Sequence, residues 1–388
     1  MVNFSSLLPA ALIRNLVALF LLALSLPAAA QAPAWQSARA VAVATTAAAN
    51  NLSMVSATAV DAAGDVYLAG RFTNTVALGG TTLTSVGGSD VFVTKFNAAS
   101  NQFVWAQRAG GMGQDFVSAM AVSGTSVYVA GSYDGAVSGF GATTLTNAGS
   151  IGTNDIFVAK LTDTGSFVWA QRAGGTDNDY AQALAVSGAS VYVAGEFTSP
   201  TAGFGPTVLS TAGSADVYVA DVYVTKLTDA GSTGSFAWAQ RAGGTHYDAA
   251  YALAVSGTSV YVAGAFHSPT AGFGPTVLPT AGTADVYVAK LTDAGSFVWA
   301  QRAGGTGSDE AYALAISGTS VFVAGTFYSP TTSFGAISLT NPYPNPKKNL
   351  GFLASLTDPT LTAPADSREP ASLYPNPARQ GATPAPPR

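Results

Sequence analysis

Cysteine is absent from all 388 residues, which excludes disulfides, thiolate metal sites, a cysteine nucleophile and lipidation on an N-terminal Cys. Charge is scarce too. Asp, Glu, Lys and Arg make up 10% of the chain, where about a quarter is ordinary for a soluble protein. Two histidines, with Glu196, Glu310 and Glu369 as the glutamates, leave few groups for acid–base work. A net charge of −5 with scattered Lys and Arg gives no electrostatic footprint for nucleic acid or anionic membranes. What abounds is apolar residues (48%), 42 Gly and 20 Pro, the composition of short elements joined by many turns.

The two ends differ from the middle. Residues 1–30 read as a secretory signal: Arg14 is the one charged side chain, Leu16–Leu26 is apolar except for Ser25, and Ala28-Ala29-Ala30 offers a small-residue cleavage site. That apolar run is too short to span a bilayer, so the mature chain is expected to begin at Gln31, without membrane insertion. Residues 357–371 carry Pro, Ala and Ser and read as a linker. Ser372-Leu373-Tyr374-Pro375-Asn376-Pro377-Ala378 resembles the opening of the C-terminal sorting domain of the type IX secretion system. Only ten residues follow it, with three prolines, so residues 372–388 read as a truncated remnant of that signal. Tyr343-Pro344-Asn345-Pro346 repeats its core inside the chain. The location these ends imply is secreted or cell-surface.

Between the ends the chain repeats itself. Trp35, Trp105, Trp169, Trp238 and Trp299 recur at near-regular spacing, four of them opening the heptapeptide seen at Trp169-Ala170-Gln171-Arg172-Ala173-Gly174-Gly175. The third repeat is lengthened by small copies: Ala215–Val219 is duplicated as Ala220–Val224, and Gly231-Ser232-Thr233 precedes Gly234-Ser235. Each repeat holds four strand-like runs, A to D, rich in Val, Tyr, Phe and Thr. The A runs end near Val60, Val122, Val186, Val255 and Ile316. The B runs hold Tyr67, Tyr128, Tyr192, Tyr261 and Phe322, the C runs Phe92, Phe157, Tyr223, Tyr287 and Phe352, and the D runs the tryptophans. Val260-Tyr261-Val262-Ala263 is apolar on both faces, as a strand sandwiched between two sheets must be. The chain starts with a lone D at Trp35 and ends with a C at Leu356, so five complete A–D sets require the N-terminal D to join the last set.

These units resemble the bacterial β-propeller repeat family named for seven-bladed propellers. The resemblance is carried by Gly-Gly-x-x-x-Asp before A, by Asp61-Ala62-Ala63-Gly64-Asp65-Val66-Tyr67, and by the Asp-Val/Ile-Phe/Tyr-Val-x-Lys pattern from Asp90–Lys95 onward. It covers about Trp35–Leu356, within a repeat domain of residues 31–356, and departs in repeat number and at Ser355, which stands where the Lys belongs. It implies an all-β propeller, here of five four-stranded blades closed into a ring by the N-terminal strand, with tight A–B and C–D turns on one end and long D–A and B–C loops on the other.

Recurrent and singular polar residues carry different expectations. Asp115, Asp179, Asp248 and Asp309 recur four residues after each Gly-Gly. They either cap their own turns or ring the channel mouth as a site for sugar hydroxyls or a cation. Arg108, Arg172, Arg241 and Arg302 suit a repeated tie to a neighbouring blade, as do Lys95, Lys160, Lys226 and Lys290. The singular loop residues His246, Tyr247, Glu196, His267 and Tyr328 are the stronger ligand candidates, because aromatic faces beside carboxylates suit carbohydrate. No Gly-x-Ser-x-Gly, His-Glu-x-x-His or phosphate-binding Gly-rich loop with Lys is present, and Asp177-Asn178-Asp179 lacks the remaining ligands of a calcium loop. A non-enzymatic, monomeric binding module for carbohydrate or a surface protein is expected, without cofactor or metal. A structural or adhesive surface protein and a five-bladed-propeller glycosidase are the alternatives.

Overall fold

The computed structural model describes residues 38–45, 51–212, 219–343 and 348–361. The signal segment, Trp35 and the sorting-signal remnant lie outside these residues. The chain divides into two units, Met1–Ala40 and Val41–Arg388. Of the first, residues 38–40 are described, exposed and without regular structure. The second is all-β and antiparallel throughout its named strands, and no helix occurs among the described residues. Accordingly none there is long and apolar enough to cross a membrane.

Four repeats form four-stranded A–B–C–D ladders. Repeat 1 is Ser53–Val60, Val66–Phe72, Asp90–Asn97 and Gln102–Gly111. Repeat 2 is Asp115–Ser123, Ser126–Tyr133, Asp155–Thr162 and Phe167–Gly175. Repeat 3 is Asp179–Ser187, Ser190–Phe197, Asp221–Asp229 and Gly234–Ala242, so the second copy of the duplicated pentapeptide makes the C strand. Repeat 4 is Asp248–Ser256, Ser259–Phe266, Asp285–Thr292 and Phe297–Gly304. Repeat 5 pairs Asp309–Ser317, Ser320–Phe327 and Leu350–Thr357 as A, B and C, and among the described residues no fourth strand joins the outer edge. Folded contacts run past Thr357 into the stretch whose composition reads as a linker: Asp358 and Leu361 are buried.

The A–B hairpins of repeats 2 to 5 are tight because a glycine opens each two-residue turn at φ near +57°, a conformation that strains an L side chain, whereas repeat 1 uses the longer loop Asp61–Asp65. The long B–C loops, expected only as loops, fold into short hairpins such as Val137–Phe140 with Thr143–Thr146. Each hairpin from repeats 2 to 5 then reaches the D strand of the repeat before it, as Gly139 does to Gly110. Among the described residues no full-length D strand precedes the first hairpin. It pairs with Val43–Ala44 instead, in the register that Gly110–Gly111 uses elsewhere.

Consecutive sheets stack face to face, A strand beside A strand. Tyr192, Val222 and Val224 of repeat 3 pack with Val260, Val262 and Tyr287 of repeat 4 in one core cluster. Every internal sheet is therefore buried on both faces, which is why its strands are apolar on both. Three tryptophans pack against a glycine of the next repeat's C–D turn, where even a methyl would overlap the indole: Trp105 on Gly165, Trp169 on Gly234, Trp238 on Gly295. The two end sheets differ. On the outward face of repeat 5, Phe322 is 36% and Leu353 73% exposed, whereas the matching Tyr261 and Val288 of repeat 4 are 0% and 5%.

Candidate functional site

The recurrent aspartates face the protein, not solvent. Asp115, Asp179, Asp248 and Asp309 are each at most 1% exposed. Asp248 accepts from the backbone N–H of Gly244 (2.7 Å), His267 (3.0 Å) and Ser268 (3.1 Å), and from the Ser268 hydroxyl (2.6 Å). Asp179 and Asp309 repeat this bonding with Ser199 and Ser329, and Asp115 uses Ser138. Each carboxylate pins the D–A turn to the B–C loop, so the geometry gives these residues the turn-capping role and leaves them out of ligand reach.

A second carboxylate lies close by, at the start of the C strand in repeats 1 to 4: Asp90, Asp155, Asp221 and Asp285. A Cβ on Gly174, whose φ is +129°, would stand 2.4 Å from Asp155 Oδ1 and 2.8 Å from Asp179 Oδ2. Burial pushes Asp115 and Asp179 up to about 7 and Asp221 up to about 6, and raises Asp155, Asp248 and Asp285 in the same direction.

The arginines bond within their own sheet, contrary to the expected tie between blades. Arg172 donates to Asp155 (2.8 Å), Arg241 to Asp221 (3.0 Å), Arg302 to Asp285 (2.8 Å), and Arg108 to Asp90. Arginine on D and aspartate on C face each other across one ladder, so the pair closes locally. Three of the lysines do cross between sheets. Lys160 pairs with Asp229 (2.6 Å), Lys226 with Asp293 (2.6 Å) and Lys290 with Asp358 (2.7 Å), each aspartate lying at or just past the end of the next repeat's C strand. The B-strand tyrosines join them: Tyr128 donates to Asp229, Tyr192 to Asp293 and Tyr261 to Asp358. Lys95 stays in its own repeat, with Asp65 (3.0 Å) and Asp61 (3.4 Å).

Singular residues gather elsewhere. Every A strand carries a bulge at one fixed place, occupied by Ser56, Ser118, Gln182, Tyr251 and Tyr312 in turn. A bulge re-aims a side chain that simple alternation would send to the other face. In repeats 3 to 5 these re-aimed residues join others found nowhere else in the repeat. Gln182 donates to Glu196 Oε1 (2.9 Å), and the Tyr247 hydroxyl reaches the same oxygen at 3.4 Å. The ring of Tyr247 meets that of His267 edge-on at 5.7 Å. Tyr251 and Tyr312 lie 5.6 Å apart across repeats 4 and 5, and Tyr312 donates to Glu310 (2.6 Å). Ala249, Tyr251 and Ala265 form a small core cluster with Tyr247 and Tyr312 against it.

Thus Glu196, Tyr247 and His267 of the expected set come together. His246 is exposed, its ring nitrogen beside Thr245 (3.1 Å), while Tyr328 is half-buried and its N–H donates to Ser308. Tyr251, Tyr312, Glu310 and Gln182 were not among the sequence candidates. The signal for them was variation at two fixed A-strand positions in otherwise near-identical repeats. Compared with protein-family models and with curated proteins, the chain matches none.

Proposed function

We propose that this chain is an exported, non-enzymatic five-bladed β-propeller that binds carbohydrate through the inner strands of blades 3 to 5. The reading rests on one observation: seven side chains that depart from the repeat, three tyrosines, two glutamates, a histidine and a glutamine, come together there. Aromatic faces stack on the apolar faces of sugar rings, and carboxylate and amide oxygens accept from their hydroxyls. A residue conserved in every blade serves folding; one that differs where its neighbours agree is free to serve a ligand.

Closure of the ring by the N-terminal segment is part of the proposal. Val43–Ala44 sits on the first hairpin as the end of a D strand does, and the outer face of repeat 5 carries exposed Phe322 and Leu353 where a closing neighbour would bury them. Burial of Leu361 and Asp358 beside repeat 4 adds the start of a fifth C–D turn. Secretion through the type IX route and a cell-surface or extracellular location complete the proposal, supported by the composition of the chain's two ends; a monomeric state goes with closure of the ring.

A glycan array probed with the full mature chain tests the binding function. Selective binding that falls on Tyr251→Ala or Tyr312→Ala is the expected result. A blank array from a folded sample contradicts it and favours a protein partner or a structural role.

A further inference from the structure

The B-strand position that carries Glu196 in repeat 3 carries Arg71 in repeat 1, each opposite the second residue of its A strand. Ser132, Ala265 and Thr326 stand there in the other repeats, so packing does not require a cation. Arg71 is the one Lys or Arg on any A or B strand. Its guanidinium lies over the ring of Phe116, the second residue of the next A strand, at 4.9 Å. The D-strand arginines of repeats 1 to 4 each meet an aspartate. Arg71 meets none: among the described residues it has no hydrogen bond or ion pair, and its Nε is shut off from solvent. Burial pushes the guanidinium down, with no carboxylate beside it to restore the charge. A buried donor left unsatisfied costs about 1–3 kcal/mol, and more when it is charged.

An orphaned hydroxyl lies at the same junction. Ser89, just before the C strand of repeat 1, is 3% exposed, and its Oγ has no partner among the described residues. It forms a bridge with Gln114, and its carbonyl accepts from the Asp115 N–H (2.8 Å), which sets it against the start of the A strand that carries Phe116. The next junction shows where such a side chain reaches. There Asn154 stands in place of Ser89, and its amide donates to Asn178 (3.0 Å) and to the Tyr180 hydroxyl (3.3 Å). Asn178 and Tyr180 match Gln114 and Phe116. Between repeats 2 and 3, therefore, an amide and a phenol close the site on each other. Between repeats 1 and 2 a shorter serine and a phenylalanine leave both the hydroxyl and the guanidinium without a bond. Met54, opposite Arg71, adds an apolar side chain that is 36% exposed.

We infer, resting on the carbohydrate-binding reading, that the junction of repeats 1 and 2 takes the carboxylate of a uronic acid residue. The guanidinium fork bonds a planar carboxylate through paired N–H donors, and the Ser89 hydroxyl donates a further bond. The Met54 side chain and the Phe116 ring suit the apolar face of the sugar that carries the acid. Glu196 and Glu310 repel a carboxylate from repeats 3 to 5, so the acid group belongs at Arg71 and nowhere else on these strands.

The test titrates tetrasaccharides of glucuronate, galacturonate, mannuronate and guluronate into the full mature chain by calorimetry, each beside its methyl ester. At least one acid is expected to bind at least about tenfold more tightly than its ester, the scale of one charged hydrogen bond. Arg71→Thr, which reproduces the residue of repeat 5 and removes no bonded partner, should abolish that preference. Arg71→Lys keeps the charge and most of the packing but not the fork, and should lose most of it too. Ser89→Ala should weaken it in part. Equal or tighter binding of every ester overturns the acid assignment, and a preference that survives both Arg71 variants overturns its place. Binding of none of the pairs also overturns the assignment: neutral hits on the glycan array then leave carbohydrate binding standing, and a blank array removes both.

Discussion

Replacing Lys290 with methionine should uncouple repeat 5 from repeat 4. The lysine and Asp358 side chains are 6% and 1% exposed, and their atoms stand 2.7 Å apart. Burial drives Asp358 toward the neutral form, but hydrogen bonds from Lys290, Tyr261 and Thr360 outweigh it and hold the carboxyl below its ordinary range. Breaking a buried pair from one side typically costs about 3–5 kcal/mol. Tyr261 and the Thr360 N–H and hydroxyl still serve the carboxylate, so the lower end, about 3 kcal/mol, is expected here. In Lys290→Met/Asp358→Asn no uncompensated charge is left, and the double variant should be more stable than the single one. Guanidinium unfolding followed by fluorescence and circular dichroism measures both, and a double-mutant cycle gives the coupling. Because each repeat contacts only its neighbours, the loss should appear as early release of repeat 5. A single variant within about 1 kcal/mol of the parent, or a double variant showing simple additivity, would refute the reasoning.

The paired aspartates predict an acid-shifted stability optimum. Asp115 and Asp179 titrate from 3.8 in the unfolded chain to about 7 in the fold, so between those values the folded state holds more protons and stability falls as pH rises. Asp229, Asp293 and Asp358 are lowered, so their contribution disappears as pH drops below the unfolded value. Tm should therefore peak near about pH 4–5, and a Tm that climbs steadily from pH 4 to 8 would contradict this. Gly174→Ala forces a methyl against Asp155 and Asp179 at φ +129° and should lower stability by at least about 2 kcal/mol in the same unfolding assay, whereas Gly188→Ala, strained at φ +57° but with open space around it, should cost less. Asp248→Ala should reduce Tm by several degrees through the four bonds it loses, with glycan affinity altered less than by Tyr251→Ala.

The repeat made most of the fold legible. The A, B, C and D runs, the tight A–B turns and the double-sided burial all follow from sequence periodicity, because each obeys a local rule that five copies restate. The hairpins within the B–C loops did not, since Val137–Phe140 is short and its partner is the D strand of another repeat, a contact no local pattern encodes. The arginines were given the wrong neighbour for a similar reason: sequence supplies the guanidinium but not which of two nearby ladders presents the carboxylate. At the candidate site, Glu196, Tyr247 and His267 stood out as singular. Tyr251 and Tyr312 lay inside strands that read as ordinary core, and only the bulge between Ala250 and Ala252, or Ala311 and Ala313, turns them toward the cluster.

The junction between repeats 5 and 1 that the proposed closure requires would be chemically unlike those between consecutive repeats. The lysine and tyrosine of the inter-sheet tie become Ser355 and Phe322, the turn aspartate of repeat 1 becomes Ala98, and the paired aspartates become Leu350 and Ser53. A closed ring must hold here by main-chain pairing and apolar cover alone, so this junction decides whether the inner strands enclose a binding mouth. Residue-resolved hydrogen exchange over Leu350–Thr357 tests it directly, with the fully paired Asp285–Thr292 as the internal reference. Protection of every amide along Leu350–Thr357, lost when residues 31–40 are deleted, is the predicted result. Fast exchange at alternate amides in the intact chain, marking an edge strand paired on one side, would contradict closure.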